Sequence, residues 1–192
     1  MSWHVAHLVD ANPTLWRNGG GVTRELAAGP HAVDWNWRMS VAEVAASGPF
    51  SRFEGVTRWF AVLQGAGVAL TVHNPADAAV VEHRLTRDDV PLCFDGTAST
   101  HCRLLGGPTQ DFNLMVRDAC LPARMVRVRG AAQELAHASK MIAVYAVDTG
   151  ASVRFNGQEM YVPPATLVWR HVTKAATVDI RCANALWMEL ST

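Results

Sequence analysis

The amino-acid sequence predicts an all-β protein with few short helices. Short apolar runs are separated by turn signals such as Ser47-Gly48-Pro49, Asp95-Gly96 and Asn156-Gly157, and this spacing is typical of the strands of a sandwich or barrel. Apolar and polar residues also alternate with a period of two, which places them on opposite faces of a strand.

The predicted strands follow the chain from residue 22 onward. Apolar runs predict strands at 22–26, 37–46, 58–65, 68–72, 101–107, 111–117 and 141–147. Valine and arginine alternate in 125–129, and apolar and polar residues alternate in 177–182, so both segments are predicted to be half-buried antiparallel strands. The single helix candidate is 131–140, one or two turns long, on a crossover.

Composition limits the possible partners. The chain has 192 residues, 49% of them hydrophobic, which is enough to bury a sizeable core. Lysine plus arginine total 17, as do aspartate plus glutamate, so no net charge draws the protein to nucleic acid or to an anionic membrane. No leader sequence and no long apolar run is visible, and we interpret the protein as cytoplasmic.

Metal ligands are not grouped in the sequence, and no cofactor is predicted. No Cys-x-x-Cys, His-x-His or His-Glu-x-x-His occurs, although these are the usual zinc spacings. The four cysteines are therefore predicted to be free thiols. An alternative remains, in which His73, His83 and Glu82 meet across a hairpin.

Polar residues on two predicted strands suggest a binding site. Thr23 and Glu25 share one face of their strand, and Asp111 and Asn113 share one face of theirs. If these faces point into a barrel, the polar groups lie in an apolar cavity, as in many small-molecule sites. If the faces point outward, the same residues are ordinary surface groups.

Arg58 follows a glycine turn and precedes the apolar run 59–63. Its guanidinium can bind a carboxylate through two parallel hydrogen bonds, with Ser40 and Glu43 forming a nearby polar cluster. Equally, Arg58 can form a structural ion pair with Glu54 or Glu25.

An activated nucleophile is not evident. His101 and Cys102 are adjacent on a predicted strand and therefore point to opposite faces. An enzyme would have to use Glu25 or Asp111 as general acid or base, with a pKa raised by burial.

Three consecutive glycines, Gly19, Gly20 and Gly21, follow Asn18. Such a sequence permits a tight turn, a close approach of two segments, or backbone N–H groups that face an anion. The Gly-Lys-Ser/Thr of a phosphate-binding loop does not follow them.

Four segments together resemble the HutD/Ves family of the cupin superfamily. They are WRNGGGVTRELA (16–27), WRMSVAEVAASGPFSRFEGVTR (37–58), FDG (94–96) and CRLLGGPTQDFNLMVR (102–117). The resemblance implies a bicupin, in which two antiparallel β-barrels of the RmlC-like, jelly-roll type pack into one compact unit over 1–192. The first lobe would span about 14–118 and carry the motif residues, and the second would span about 119–192.

The resemblance also implies an accessory or regulatory role in histidine utilisation or in a stress response. The Gly-x5-His-x-His-x3/4-Glu-x6-Gly motif of metal-binding cupins is missing from the sequence. We therefore expect a metal-free protein that binds a small carboxylate, with formylglutamate and urocanate as candidates, and that modulates flux. The alternatives are a hydrolase or isomerase using Glu25 or Asp111, and an interaction module in which an exposed sheet of the second lobe docks a partner or a second copy of the chain to form a homodimer. The expected ligand-binding residues are Asn18, Gly19, Gly20, Gly21, Thr23, Glu25, Ser40, Glu43, Arg58, Asp111 and Asn113.

Overall fold

The computed structural model describes residues 2–74, 79–120 and 122–191. These residues form antiparallel strands connected mostly by short turns, and the all-β prediction is confirmed. The strands are β1 (His4–His7), β2 (Pro13–Leu15), β3 (Gly21–Pro30), β4 (Trp35–Val44), β5 (Gly48–Pro49), β6 (Val56–Gln64), β7 (Val68–His73), β8 (Val80–Leu85), β9 (Leu92–Asp95), β10 (Ser99–Leu104), β11 (Thr109–Arg117), β12 (Ala123–Ala136), β13 (Lys140–Ala146), β14 (Ala151–Phe155), β15 (Gln158–Val162), β16 (Thr166–Val172) and β17 (Ala176–Ser191).

Helix is confined to two 3₁₀ turns in the described part of the chain, Leu8–Asp10 and Asp118–Cys120. Each turn has only three residues. Neither is long enough to cross a membrane.

The chain divides into two compact units. One unit comprises residues 12–119, and the other comprises residues 1–11 together with 120–192. The two lobes predicted from the sequence, about 14–118 and 119–192, leave out the first thirteen residues. In the structure, β1 pairs antiparallel with β16, with His4 opposite Trp169, so the amino-terminal strand belongs to the unit formed by the end of the chain.

The unit of residues 12–119 contains two antiparallel sheets. The six-stranded sheet has the order β2-β3-β4-β11-β6-β9, and the four-stranded sheet has the order β5-β10-β7-β8. Buried side chains from both sheets form one hydrophobic cluster, which includes Phe60, Val62, Leu70 and Cys102. This burial stabilises the pairing of the two sheets because it removes apolar surface from water.

The second unit has one curled seven-stranded sheet. Its longest strand, β17, pairs with β12 along most of its length, and also with β14 near its start and β13 near its end. The side chains on its inner face surround Trp187, which has no exposed surface. The predicted strands at 125–129 and 177–182 lie within β12 and β17.

The helix predicted at 131–140 is wrong. Residues 131–136 continue β12 and pair with β17, with Glu134 opposite Val178. Exposure alternates along Ala131–Ala136, as expected for a strand with one buried face. The alanines favour a helix by intrinsic propensity, but the cross-strand pairing with β17 overrides this weak preference.

Candidate functional site

Strand β11 aligns polar side chains from its two neighbours, β4 and β6. Asn113 is opposite Ser40, and two residues further along the strand Met115 lies between Arg38 on β4 and Arg58 on β6. Side chains two residues apart on a strand share a face. The sheet therefore presents two arginines, an asparagine and a serine on one surface.

Arg58 is fixed in position by two hydrogen bonds. Its Nη2 donates to Asn113 Oδ1 at 3.0 Å and its Nη1 donates to the Ser51 carbonyl at 3.3 Å. Only 5% of Arg58 is exposed, so these bonds replace contacts that the guanidinium would otherwise make with water.

Three phenyl rings surround the same guanidinium. The Arg58 Cζ atom lies 5.4 Å from the ring centre of Phe50, 5.6 Å from that of Phe53 and 5.0 Å from that of Phe94. Each distance is within the range at which a cation is attracted to a ring face. The rings orient the guanidinium but do not neutralise its charge.

The positive charge of Arg58 has no carboxylate partner among the described residues. Glu25 instead pairs with Arg38, whose Nε lies 2.8 Å from Glu25 Oε2, and Glu54 forms no ion pair with Arg58. Burial, together with the nearby charge of Arg38, lowers the pKa of Arg58 to about 10. The group is still a cation at neutral pH, and a buried, uncompensated cation is costly to folding.

A cavity of about 580 Å³ lies over this face of the sheet, and we call it the main cavity. Its polar lining residues include Asn18, Thr23, Arg38, Ser40, Arg58 and Asn113. Its walls are largely apolar, and Leu15, which is 79% exposed, lies on its rim. Its remaining lining residues are Thr14, Trp16, Arg17, Ala42, Val44, Pro49, Phe50, Ser51, Phe53, Phe60 and Met115.

A smaller cavity of about 280 Å³, the annex, adjoins the main cavity. Gly19, Gly20 and Gly48 contribute bare backbone to its wall. Four residues line both cavities: Trp16, Asn18, Pro49 and Phe50. Ala46 and Ser47 complete the annex.

The triglycine closes the turn between β2 and β3. The Gly19 N–H donates to the Trp16 carbonyl and the Gly20 N–H donates to Asn18 Oδ1, both at 3.0 Å. Gly19 has a φ of +69°, which favours glycine. These two N–H groups have protein acceptors and are not directed at an anion.

The predicted site residues fall into two groups. Asn18, Thr23, Ser40, Arg58 and Asn113 line the main cavity, and Gly19 and Gly20 line the annex. Gly21, Glu25, Glu43 and Asp111 line neither cavity. Glu43 points to the other face of the sheet, where its Oε1 lies 3.4 Å from Arg24 Nε.

Asp111 lies on the same face of β11 as Asn113 but has no exposed surface. Its Oδ2 accepts a hydrogen bond of 2.7 Å from the Thr109 hydroxyl, and its Oδ1 has no partner. Burial raises the pKa of Asp111 to about 7, although the hydrogen bond from Thr109 acts in the opposite direction.

No group of three or more metal-ligating side chains occurs within residues 2–74, 79–120 and 122–191. The hairpin that would bring His73 and His83 together is present as β7 and β8. However, His73 is opposite Val80 and His83 is opposite Leu70, so the two histidines are three residues apart in register and lie on opposite faces.

Several site residues were not predicted from the sequence. Arg38 is two residues from Ser40, and period-two alternation would have placed it on the same face. Trp16 lies within the glycine motif, and its Nε1 donates to Thr23 Oγ1 at 2.8 Å. The three phenylalanines around Arg58 come from separate segments, and no sequence pattern connects them.

The model of the HutD family matches residues 7–188 of this chain. The chain belongs to the HutD family. A relative from Pseudomonas putida, described as an uncharacterized 21.2 kDa protein in the hutC 3′ region, is 32% identical over 147 residues, 76% of this chain and 74% of its own. Protein Ves of Citrobacter koseri is 38% identical over 109 residues, 55% of this chain and 54% of its own, so the match spans about half of each protein.

Two solved structures from Pseudomonas have the same fold as this chain. The protein PA5104 of Pseudomonas aeruginosa PAO1, of unknown function, has a TM-score of 0.86 at 28% identity and full coverage of both chains. HutD from Pseudomonas fluorescens SBW25 has a TM-score of 0.82 at 27% identity, covering 99% of this chain and 98% of its own. An oxalate decarboxylase, at 8% identity, has a TM-score of 0.67 and covers 97% of this chain and 76% of its own, which shows a shared cupin-like fold alone.

Proposed function

We propose that this HutD-family protein is a cytoplasmic, metal-free protein that binds a small carboxylate metabolite in the main cavity. It would act as an accessory, flux-modulating component of histidine utilisation or of a stress response. The main support for this proposal is the environment of Arg58. This buried cation lies on the cavity wall, and no carboxylate among the described residues neutralises its charge.

A ligand carboxylate would supply the missing negative charge. Arginine binds carboxylates through two parallel charge-assisted hydrogen bonds, which are stronger than neutral ones. Asn113 and the three phenyl rings keep the guanidinium in one orientation. Less conformational freedom is therefore lost when the ligand binds.

The metabolite candidates follow from the family. Relatives are named HutD or lie beside hutC, which supports a link to histidine utilisation and makes formylglutamate and urocanate the first compounds to test. The main cavity, at about 580 Å³, has the size of a typical small-molecule site.

We propose that each compact unit is a closed cupin barrel, so that the chain is a bicupin. Support comes from the separate hydrophobic cluster in each unit and from the curl of the sheet around β17.

An enzymatic role for the same cavity is supported less well. The pKa of Asp111, about 7, suits a general acid or base, yet Asp111 does not line the main cavity. Glu25 is paired with Arg38. Both placements favour binding over acid–base catalysis.

Calorimetry with formylglutamate and urocanate tests the proposal. We expect wild type to bind at least one of them and Arg58→Met to lose about a hundredfold in affinity, because hydrogen bonds to charged groups contribute about 1.5–3 kcal/mol each. Replacing a buried charge by an apolar side chain of similar length is compatible with folding.

Arg24→Met is the matched control, because Arg24 lies on the opposite face of the same sheet, beside Glu43. It should bind as wild type does. The proposal is wrong if wild type binds neither compound, or if Arg58→Met and Arg24→Met bind equally well.

A further inference from the structure

The annex extends the region that a ligand of the main cavity can reach. Trp16, Asn18, Pro49 and Phe50 line both cavities. Phe50 is close both to the charged group and to the other aromatic residue of the annex: its ring centre is 5.4 Å from Arg58 Cζ and 6.1 Å from the ring centre of Trp16. A single aromatic ring of the annex wall is therefore also in contact with the carboxylate-binding group.

The aromatic walls of the annex are fixed before any ligand binds. The Trp16 indole donates a hydrogen bond of 2.8 Å to Thr23. Phe50 packs edge-to-face with Trp16 at 86° and contacts Phe60 at 5.8 Å between ring centres. A preorganised wall orders few additional side chains on binding, which favours affinity.

Part of the annex wall is bare backbone. Gly19, Gly20 and Gly48 bring no side chain, and a Cβ built on Gly48 has no neighbouring atom within 4 Å. The annex wall therefore combines two aromatic rings with peptide groups that carry no side chain. Such a space suits a planar group better than a branched one.

Asn18 offers a hydrogen-bond donor to a ligand of the annex. Asn18, which lines both cavities, uses its Oδ1 to accept from the Gly20 N–H, and its Nδ2 is a donor. A donor at the edge of an aromatic wall suits a ring that carries an acceptor on its rim.

We propose that the annex binds a planar unsaturated ring, joined through a short spacer to the carboxylate at Arg58. The inference rests on the proposed carboxylate site and narrows its ligand class to ring-bearing carboxylates. Of the two metabolite candidates, urocanate has this shape, whereas formylglutamate has no ring.

The experiment compares probes with and without a ring. trans-Cinnamate and urocanate carry a planar ring, and acrylate is the same unsaturated acid without one; binding is measured by calorimetry, and by ligand-observed NMR for the weaker acrylate. Wild type should bind a ring-bearing probe at least about tenfold more tightly than acrylate, because the ring adds stacking and apolar contact.

Two variants fill the annex without changing Arg58. Gly48→Leu and Ala46→Leu each add a side chain at a residue that lines the annex, whereas Ala45→Leu alters the adjacent alanine, which lines neither cavity. We expect both filling variants to reduce affinity for trans-cinnamate to that of acrylate and to leave acrylate binding unchanged. Ala45→Leu should resemble wild type. Thermal unfolding shows whether each variant folds. If Gly48→Leu does not fold, the result for Ala46→Leu tests the proposal.

The outcomes separate the two proposals. If Arg58→Met abolishes carboxylate binding while both annex-filling variants bind trans-cinnamate as Ala45→Leu does, the annex proposal is wrong and the carboxylate site stands. Equal wild-type affinity for acrylate and for the ring-bearing probes also overturns the annex proposal. If wild type binds no carboxylate, or Arg58→Met binds all probes normally, both proposals are wrong.

Discussion

Asp111 makes the stability of this protein depend on pH. The carboxyl group has no exposed surface, and one of its oxygens has no hydrogen-bond partner. The neighbouring Cys102 thiol is also buried, and its pKa is raised to about 12 by burial and by the charge of Asp111. Ionisation of Asp111 therefore places a charge in a buried site where the hydrogen bond from Thr109 only partly offsets the loss of water, and the folded state favours the protonated acid.

The direction of the pH effect follows from the different pKa of Asp111 in the folded and in the unfolded protein. The pKa of Asp111 is about 7 when folded, against an ordinary value of 3.8, so the folded protein binds this proton more tightly than the unfolded chain does. The stability from this proton is complete below about pH 4 and is lost as pH rises through about 7. Wild type should therefore lose up to about 3 kcal/mol of its free energy of unfolding between pH 5 and pH 8 from this group.

Urea unfolding across that pH range measures the effect. Asp111→Asn should remove most of this slope, because an amide does not titrate. Asp34→Asn is the control, since the side chain of Asp34 is 89% exposed, and it should keep the wild-type slope. Parallel curves for wild type and Asp111→Asn would contradict the assignment.

At the site, the sequence predicted which side chains share a face of a strand but not which charged residues form ion pairs. Alternation correctly placed Thr23 and Glu25 on one face and Asp111 and Asn113 on one face. Whether Glu25 would pair with Arg58 depended on the pairing of β3 with β4, which shifts at a β-bulge between Glu25 and Ala27. A bulge changes which side chains meet, and no local sequence signal fixed its position here.

At the scale of single elements, Gly19 in the turn before β3 and Gly21 at the start of β3 are required for different physical reasons. Gly19 supplies a positive φ, whereas Gly21 supplies space: a Cβ on Gly21 would lie 2.3 Å from the Glu43 carbonyl oxygen. Gly21 is opposite Val44 in the pairing of β3 with β4. The backbone atom that a new methyl would meet cannot move without disturbing that pairing.

Alanine substitutions should therefore differ in cost. Gly21→Ala should lower the free energy of unfolding by about 2–3 kcal/mol through overpacking, and Gly19→Ala by about 1 kcal/mol through its left-handed backbone. Gly48→Ala, with open space at its Cβ, should change it by less than about 0.5 kcal/mol. Chemical denaturation gives all three values, and an equal cost for Gly21→Ala and Gly48→Ala would refute this interpretation.

Strands that consist of apolar runs were predictable from their own residues, whereas strands that depend on pairing with a neighbour were not. The segments 58–65 and 111–117 are apolar runs, and they form β6 and β11. By contrast, β2 and β5 are short, contain proline, and exist because a neighbouring strand pairs with them. The Asn156-Gly157 turn was recognised, with both residues at positive φ, but the strands that it joins, β14 and β15, were not.

At the scale of the whole chain, the amino-terminal segment belongs to a unit whose other residues begin more than a hundred positions later. Local sequence patterns do not encode a pairing over that distance. In the structure, β1 pairs with β16, the Leu8 N–H donates to the Ala165 carbonyl at 2.9 Å, and His7 Nδ1 lies 2.9 Å from the Thr166 hydroxyl. Trp3 packs edge-to-face against Phe155.

Removal of residues 1–10 should therefore expose the edge of β16. Without β1, the outward-facing N–H and C=O groups of β16 lose their partners and the Trp3 ring no longer covers Phe155, so the edge opens more readily. Hydrogen exchange measured by mass spectrometry should show faster exchange in 166–172 of the shortened protein. Strand β11, which does not pair with β1, is the internal reference, and its exchange should increase less. Unchanged exchange in 166–172 would mean that β1 does not stabilise this unit, and that the sheet formed by β12 to β17 is stable without the amino-terminal strand.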